Sequence, residues 1–230
     1  MKLFFSLACF LLVLFTACKK DDAVTVKITG PNHNAEPLTV RVVYVVPSDK
    51  ALNADYVKAV LHCAADLKNW YAGKLNNGKT FRLNTQEVET LKSSHPAGWF
   101  DQQNSGSGDN RDFYFYTNAK NDVKALLGAS YDENKYTYFV YVDAQGKTGA
   151  GALRFTAMPE NDLLGLTGKM KEPVSRWIGG AGHELGHALG LPHPASQDPN
   201  ALMWTGYTIY PNCILPASDI QLLNGNPFIR

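Results

Sequence analysis

The chain has 230 residues, of which 45% are hydrophobic and 19% are charged, as in an ordinary globular protein. Its formal net charge is +1, and its Lys and Arg residues form no cluster, so the basic stripe that nucleic-acid binding requires is absent. The length is enough for one sizeable domain, and the sequence contains no internal repeat.

The amino terminus has the pattern of an export signal. A charged start is followed by an apolar run from Leu3 to Phe15, which has the length of a signal-peptide core and is too short to span a membrane. Small residues lead up to Cys18, an arrangement that resembles the bacterial lipoprotein cleavage site. We therefore expect a lipid on Cys18, which would hold the protein at the bacterial outer membrane or cell surface. The alternative is an ordinary secretory signal cut near Ala17.

Polar residues dominate the stretch that follows, with one short strand predicted at Val24–Ile28. This composition indicates a tether between the anchor and the fold. The expected segments are a signal peptide (1–17), the lipidated cysteine with its tether (18–36) and a folded domain (37–230).

Two segments open the folded domain with clear secondary-structure patterns. Thr39–Val46 is a nearly continuous β-branched run, typical of a strand buried on both faces. Asn53–Gly73 places its apolar residues at helical spacing along one face, which predicts a long helix. Further predicted elements are strands at Thr80–Leu83, Phe113–Thr117 and Tyr136–Val142, a loop at Asp101–Asp112, and a helix at Asp122–Leu127 ended by Gly128. Strands that alternate with helices favour an α/β fold with a largely parallel sheet.

The most informative segment runs from His183 to His193 and reads HELGHALGLPH. His183 and His187 are four residues apart, so on a helix they lie on one face and can bind the same metal ion. Gly190 can adopt the left-handed conformation that ends a helix, after which His193 can return as a third ligand. Three histidines leave one position of a tetrahedral zinc site open, as in catalytic sites, and Glu184 can reach a water at the metal. We predict one catalytic Zn²⁺.

This pattern, H-E-x-x-H-x-x-G-x-x-H, resembles the signature of the metzincin zinc peptidases. Met203, ten residues after His193, resembles the methionine that lies beneath the zinc in that family. The short spacing looks like the matrixin branch, whereas Pro194 looks like the serralysin branch, so the branch stays open. The resemblance implies a zincin-like α/β (α+β) fold. Such a fold has a mixed, mostly parallel twisted sheet with an antiparallel edge strand, a long backing helix, an active-site helix and a small irregular C-terminal subdomain.

The same resemblance suggests roles for residues around the motif. Gly149–Met158 would supply an edge strand that aligns the substrate, although its glycines and alanines also suit a surface loop. Tyr207 and Tyr210 are candidates for the pocket beside the scissile bond, and ordinary core or surface tyrosines are the alternative. The motif's helix is predicted to begin near Ser175, and a last short helix near Ser218, because serine is a good N-cap residue.

The predicted function is that of a zinc-dependent endopeptidase, which hydrolyses peptide bonds through a zinc-bound water with Glu184 as general base. Its expected partners are a protein or peptide substrate and, through Cys18, a membrane, and we expect a monomer. A catalytically silent surface binding protein on the zincin scaffold and a zinc hydrolase of small amides are the alternatives.

Cys63 and Cys213 could form a disulfide or remain buried thiols. No calcium motif is present, so structural calcium is an unsupported option.

Overall fold

The computed structural model describes residues 26–75, 78–84 and 88–230. The predicted signal peptide, Cys18 and the first part of the predicted tether lie outside these residues. The strands are β1 (Thr39–Val46), β2 (Glu89–Lys92), β3 (Tyr136–Val142), β4 (Ala150–Ala152) and β5 (Phe155–Met158). The helices are α1 (Ala54–Lys74), α2 (Tyr114–Leu127), α3 (Glu160–Leu166), α4 (Val174–Ala188) and α5 (Ala217–Asn224). Short 3₁₀ turns lie at Ala97–Trp99, Arg111–Phe113, Gly128–Ser130 and Gly206–Ile209.

The five strands form one sheet in the order β2-β1-β3-β5-β4. β1 runs parallel to β2 and to β3, and β3 runs parallel to β5. β4 pairs antiparallel with β5 and lies at the end of the sheet. The predicted mostly parallel sheet with an antiparallel edge strand is therefore confirmed, and the architecture is the zincin-like one that the metzincin resemblance implies.

Both faces of the sheet are covered, which explains the continuous apolar run of β1. Side chains alternate along a strand, so Val42 and Tyr44 enter the core shared with α1 and α4. Val43 and Val45 enter the opposite core, which α2 covers. A strand buried on both faces needs apolar residues at consecutive positions, as β1 and β3 have.

The long backing helix is confirmed, and the structure shows that Asn53 is its N-cap. The side-chain oxygen of Asn53 accepts hydrogen bonds from the backbone N–H groups of Asp55 and Tyr56 at the start of α1. Cys63 lies on the buried face of this helix, 3.5 Å from the hydroxyl of Tyr141. Cys63 and Cys213 are both free and buried, so the disulfide that the sequence left open is not formed.

The strand predicted at Phe113–Thr117 is wrong, because α2 already begins at Tyr114 and continues through the predicted helix to Leu127. The aromatic run is too short to distinguish a strand from a buried helical turn by its own pattern. Its buried residues repeat at helical spacing once the whole segment is considered: Tyr114, Phe115, Asn118, Ala119, Asp122, Val123 and Leu127. Gly128 follows the helix as predicted, with a φ of 51°.

Smaller differences concern the sheet edge and the helix starts. β2 escaped prediction because its sequence, Glu-Thr-Leu-Lys, is mostly polar. The segment predicted as a strand at Thr80–Leu83 makes only isolated bridges, and residues 26–28 of the other predicted strand are not in a strand. α4 and α5 follow Pro173 and Pro216, so the predicted serine caps are wrong and both serines lie within the helices.

Part of the predicted tether lies against the sheet. The backbone N–H of Thr29 donates to the carbonyl of Thr90 at 3.1 Å, and that of Asn32 donates to the Glu89 carboxylate at 2.8 Å. Glu89 in turn forms a fully buried ion pair with Arg41 of β1. In the part of the chain that the structure describes, no helix is long and apolar enough to cross a membrane.

Candidate active site

Three histidines converge at the end of α4. His183 and His187 lie one turn apart on the helix, and His193 returns from the segment that follows it. The Nε2 atom of His193 lies 3.1 Å from that of His187 and 3.3 Å from that of His183. Among the described residues, these three form the one group of His, Cys, Asp and Glu side chains placed to hold a metal ion.

Backbone carbonyls fix the orientation of two of the imidazoles. The Nδ1 of His183 lies 2.8 Å from the carbonyl oxygen of Leu202, and the Nδ1 of His187 lies 2.8 Å from that of Leu191. A carbonyl only accepts, so each Nδ1 carries the proton and each Nε2 presents its lone pair to the centre of the cluster. This outer support is the arrangement that orients metal-ligating histidines.

The pKa values of these imidazoles favour their neutral, ligating form. Burial and, less strongly, the neighbouring imidazoles His187 and His193 lower the pKa of His183 to about 4, although the contact with the Leu202 carbonyl opposes the shift. Burial also lowers the pKa of His187, with His193 as a weaker cause. A histidine binds metal through a deprotonated nitrogen, so both groups are ready to ligate without first losing a proton at neutral pH.

The three nitrogens fit a zinc ion. Zinc binds imidazole nitrogen at about 2.0–2.1 Å, and a tetrahedral arrangement then separates two such nitrogens by about 3.3 Å. The observed Nε2 separations of 3.1 and 3.3 Å agree with that value. With three protein nitrogens in place, one tetrahedral position is left for a substrate or water.

The turn after α4 is what brings the third histidine back. Gly190 has a φ of 94°, a left-handed backbone conformation that residues other than glycine rarely adopt. The N–H of Gly190 donates to the carbonyl of His187, and that of Leu191 donates to the carbonyl of Gly186, both at 2.9 Å. These two bonds form a Schellman motif, which reverses the chain toward His193. Gly190 thus has the left-handed backbone that its place in the motif requires.

Met203 packs against α4 at Gly186, between the two helical histidines of the motif. Its side chain is fully buried, and a methyl group added at Gly186 would overlap its sulfur atom. The same added methyl group would lie 3.2 Å from the hydroxyl of Tyr71, which donates to the carbonyl of Gly182. Gly186 therefore allows α4 to pack directly on Met203 and α1.

Glu184 lines a pocket beside the histidines. The cavity has a volume of about 270 Å³, and His183 and Glu184 both line it. Burial and, less strongly, the nearby carboxylate of Asp162 raise the pKa of Glu184 to about 8, although the backbone N–H of Gly151 opposes the shift. A carboxylate with a pKa near neutral can both accept and release a proton.

Segments that are far apart in the chain build this pocket, and the sequence did not point to most of its residues. Residues 147–149 precede β4, residues 158–162 join β5 to α3, and α4 contributes Arg176, Trp177 and Gly180. Burial raises the pKa of Asp162 to about 7, although Arg176 opposes that shift. Polar residues at the ends of helices usually face solvent, so no local pattern could have singled out Asp162 or Arg176.

The two candidate pocket tyrosines have different positions. Tyr207 lines the pocket, and its ring lies 5.4 Å from that of His183. Tyr210 does not, because it is buried against Trp70 and its hydroxyl donates to Asp66 of α1 at 2.7 Å. The pocket role considered for Tyr210 is therefore wrong, and the alternative of a core tyrosine holds.

The segment predicted as an edge strand forms a hairpin rather than a loop. β4 is its outer strand and β5 its inner strand, which pairs with β3. α4 packs closely behind β4, since a methyl group added at Gly151 would overlap the carbonyl oxygen of Glu184. Close packing of β4 on the motif's helix brings the free edge of the sheet next to the histidines.

No protein-family model and no curated protein matches this chain. Among solved structures it is similar to wild-type OgpA from Akkermansia muciniphila, with 20% sequence identity and a TM-score of 0.62 over 91% of this chain and 64% of that chain. A catalytically inactive OgpA in complex with an O-glycopeptide substrate, glycodrosocin, gives 19% identity and a TM-score of 0.61 over the same shares of the two chains. Archaemetzincin from Methanopyrus kandleri gives 13% identity and a TM-score of 0.44, over 81% of this chain and 95% of that chain. The chain thus spans about 64% of the length of OgpA and shares its fold.

Proposed function

We propose that this protein is a zinc-dependent endopeptidase of the metzincin type. The observation that carries the proposal is the convergence of three imidazole Nε2 atoms, whose separations match those of nitrogens bound to one zinc ion. Glu184 lies beside them, and the edge strand β4 runs alongside. His183, His187 and His193 would hold the ion. When bound, Zn²⁺ supplies a Lewis acid that lowers the pKa of water and polarises a carbonyl group.

Glu184 would carry the proton in this reaction. Its carboxylate takes a proton from the attacking water and delivers it to the nitrogen of the departing amine. Burial raises the pKa of Glu184 toward neutral, which suits a group that must accept and then release a proton in one cycle. Met203 would support the site through packing rather than as a ligand.

β4 would hold the substrate in an extended conformation. It is the last strand of the sheet, so its outer backbone groups are available to an added strand. The pocket lies directly beside this edge, and residues that precede β4 line it. A peptide laid along β4 would therefore reach both the histidines and the pocket, which favours a peptidase over a hydrolase of small amides.

The O-glycopeptide bound to inactive OgpA supports including glycosylated peptides among the substrates to be tested. OgpA shares the fold of this chain, and the pocket of this chain is lined by polar and aromatic residues. We therefore propose peptides as the substrate class, with plain and O-glycosylated sequences as its two members.

The test is mass-spectrometric profiling of a diverse peptide mixture with zinc-loaded protein and with the Glu184→Gln variant. We expect chelator-sensitive cleavage by the wild-type protein and none by the variant, which should keep its zinc because Glu184 is not one of the three ligands. Cleavage at the normal rate by a zinc-loaded Glu184→Gln protein would refute the mechanism. Zinc binding without cleavage by the wild-type protein would favour the silent binding protein instead.

We also propose that Cys18 carries a lipid and holds the domain at the outer membrane or cell surface. The apolar run before it and the small residues next to it support this. In cells that make lipoproteins, the wild-type protein should fractionate with membranes and a Cys18→Ser variant should not. Equal distribution of both forms would favour an ordinary secretory signal.

A further inference from the structure

The segment before β1 is attached to the sheet by a series of hydrogen bonds to Thr90 of β2. The Thr90 hydroxyl donates to the carbonyl of Lys27 at 2.6 Å, and the Thr90 N–H donates to the Thr29 hydroxyl at 3.1 Å. In return, the N–H groups of Thr29 and Gly30 donate to the Thr90 carbonyl at 3.1 and 3.2 Å. β2 is an outer strand of the sheet, so these bonds cover its outer edge.

A buried ion pair holds the next part of this segment. The carbonyl of Asn32 accepts from Arg41 at 3.2 Å, and the N–H of Asn32 donates to Glu89, the partner of Arg41. Both charged side chains are 0% exposed. Charged groups buried without partners are costly, so the bonds to Asn32 help to hold the segment in place. Residues 27–32, which we call the docked segment, therefore belong to the folded domain.

The docked segment leaves a short connection to the predicted anchor. Residues 19–26, eight in all, separate Cys18 from Lys27, where the first of the bonds to Thr90 is made. A connection of this length spans at most about 30 Å when fully extended, and about 17 Å on average when flexible. With the docked segment released, the connection would continue to Leu38 and could span about 65 Å. Docking therefore keeps the domain close to any surface that holds Cys18.

The attachment point and the candidate active site lie at opposite edges of the sheet. β2 is the first strand in the sheet order and β4 is the last. The four strand spacings between them amount to about 19 Å. α4, which carries two of the three histidines, packs against β4. To turn the β4 edge toward the anchoring surface, the connection would have to reach past the whole sheet and α4, which exceeds its average span of about 17 Å.

We propose that the docked segment orients the anchored domain on its lipid surface, with the β2 edge near the lipid and the β4 edge directed toward the medium. The side near the lipid is formed by β2 and residues 80–84, which bridge to β1 below β2. Peptides would then reach β4 from the medium rather than from the anchoring membrane. This inference rests on the proposed lipid at Cys18 and does not depend on peptide hydrolysis.

The test uses a soluble protein that begins at Cys18 and supplies the anchor chemically. An amino-terminal cysteine condenses selectively with a lipid-linked aldehyde, which consumes its thiol and anchors the protein to phosphatidylcholine vesicles. A fluorescent donor is then attached to one engineered cysteine, either Arg82→Cys on the β2 side or Ala152→Cys on β4, both at exposed positions. Cys63 and Cys213 stay unlabelled, because both are buried and burial raises the pKa of each thiol.

Energy transfer from each donor to an acceptor lipid measures how far that edge lies from the surface. We expect stronger transfer from the label at position 82 than from the label at position 152, because the width of the sheet separates the two edges by about 19 Å. Equal transfer from both labels would overturn the inference.

Two variants change the connection in different ways. Thr29→Pro combined with Asn32→Pro removes two N–H donors of the docked segment and should reduce the difference in transfer between the labels at least about twofold. Val24→Pro, a control before the docked segment, should leave the difference unchanged. Ten Gly/Ser residues inserted after Asp22 lengthen the connection without altering the docked segment, and they should weaken the transfer from both labels.

The insertion keeps the inference testable if the double proline variant fails to fold or stays docked, which hydrogen exchange at Thr90 would show. Unchanged transfer after the insertion would overturn the inference, as would an unchanged difference between the labels once the segment is released. The proposed lipid is tested separately by cell fractionation of Cys18→Ser, since the vesicles receive their anchor by chemistry. A cytosolic or secreted protein in cells, with the expected transfer on vesicles, would refute the lipid proposal alone.

Discussion

The histidine cluster and the pocket beside it are neighbours built in opposite ways. The cluster comes from eleven consecutive residues, and its geometry follows from one helix, one glycine turn and two carbonyl contacts. The pocket combines the segment before β4, the start of α3 and the first half of α4. Local sequence thus determines the candidate chemistry, whereas long-range packing determines what reaches it. Substitutions in each region can test whether the two are separable.

The largest effect is expected at the cluster itself. His187→Ala removes one of three nitrogens and should lower zinc affinity by more than about 100-fold, since loss of even an outer-shell partner costs 10–100-fold. Metal analysis after dialysis should find about one zinc ion per wild-type chain and almost none in the variant. His62→Ala, a change at a histidine of α1 outside the cluster, should retain zinc. Full zinc in the His187→Ala protein would mean that the cluster is not the metal site.

The histidine cluster could be predicted from the sequence, whereas the pocket could not. The motif's spacing predicts a helix, a glycine turn and a reversal of the chain. The positions of its five key residues were therefore predictable: His183, Glu184, His187, Gly190 and His193. Asp162 and Arg176 meet only because α3 packs against α4, and no local period records that contact. Placing the pocket required the three-dimensional structure.

The fold shows the same division between local pattern and long-range context. β1, β3 and α1 carry long, strongly patterned runs, and their predicted bounds agree with the structure to within one residue. β2 is polar because its buried Glu89 pairs with Arg41 of β1, a contact that β2 alone does not reveal. The first turn of α2 resembles a strand in sequence because it consists mostly of aromatic residues.

The contact between β4 and α4 joins the two regions, and Gly151→Ala should break it. The added methyl group would overlap the backbone carbonyl of Glu184, and neither backbone can move without disturbing the sheet or the helix. We expect a loss of about 2 kcal/mol in the free energy of unfolding, measured by urea titration, together with lower activity. Gly73→Ala provides the control, because no atom lies within 4 Å of its added methyl group. Helix propensity should make that variant slightly more stable, and equal losses in both would show that β4 is free to move.

Asp162 in the pocket should make the stability of the protein depend on pH. Burial raises the pKa of Asp162 from the ordinary value of 3.8 to about 7, so the folded protein holds a proton that the unfolded chain has released. At Asp162, folding therefore takes up a proton between these two values, so the contribution of this carboxyl group to stability falls as pH rises through that window. Above the folded pKa, the full cost of burying the charge is present.

Asp162→Asn removes this titration and should stabilise the protein more at high pH than at low pH. The stability difference between variant and wild type should be about 2–3 kcal/mol larger near pH 8 than near pH 5. Urea titrations of both proteins at each pH measure it. A pH-independent difference would show that Asp162 is not a buried, titrating carboxyl group.

The smallest expected effects come from two tyrosines that differ in which region they serve. Tyr210→Phe removes a hydrogen bond to Asp66 in the core and should lower the free energy of unfolding by about 1 kcal/mol, with kcat/KM unchanged. Tyr207→Phe removes a hydroxyl that has no hydrogen bond to any described residue, so stability should stay the same while KM for peptides changes modestly. Thermal unfolding and peptide kinetics on both variants test the pair. If Tyr210→Phe changed KM and Tyr207→Phe did not, Tyr210 would belong to the pocket and Tyr207, in the Gly206–Ile209 turn, would belong to the core. A change in KM for Tyr207→Phe alone would show that two tyrosines only three positions apart belong to different regions. Their contacts imply this, since Tyr210 bonds to Asp66 of α1 and Tyr207 lies against His183 of α4.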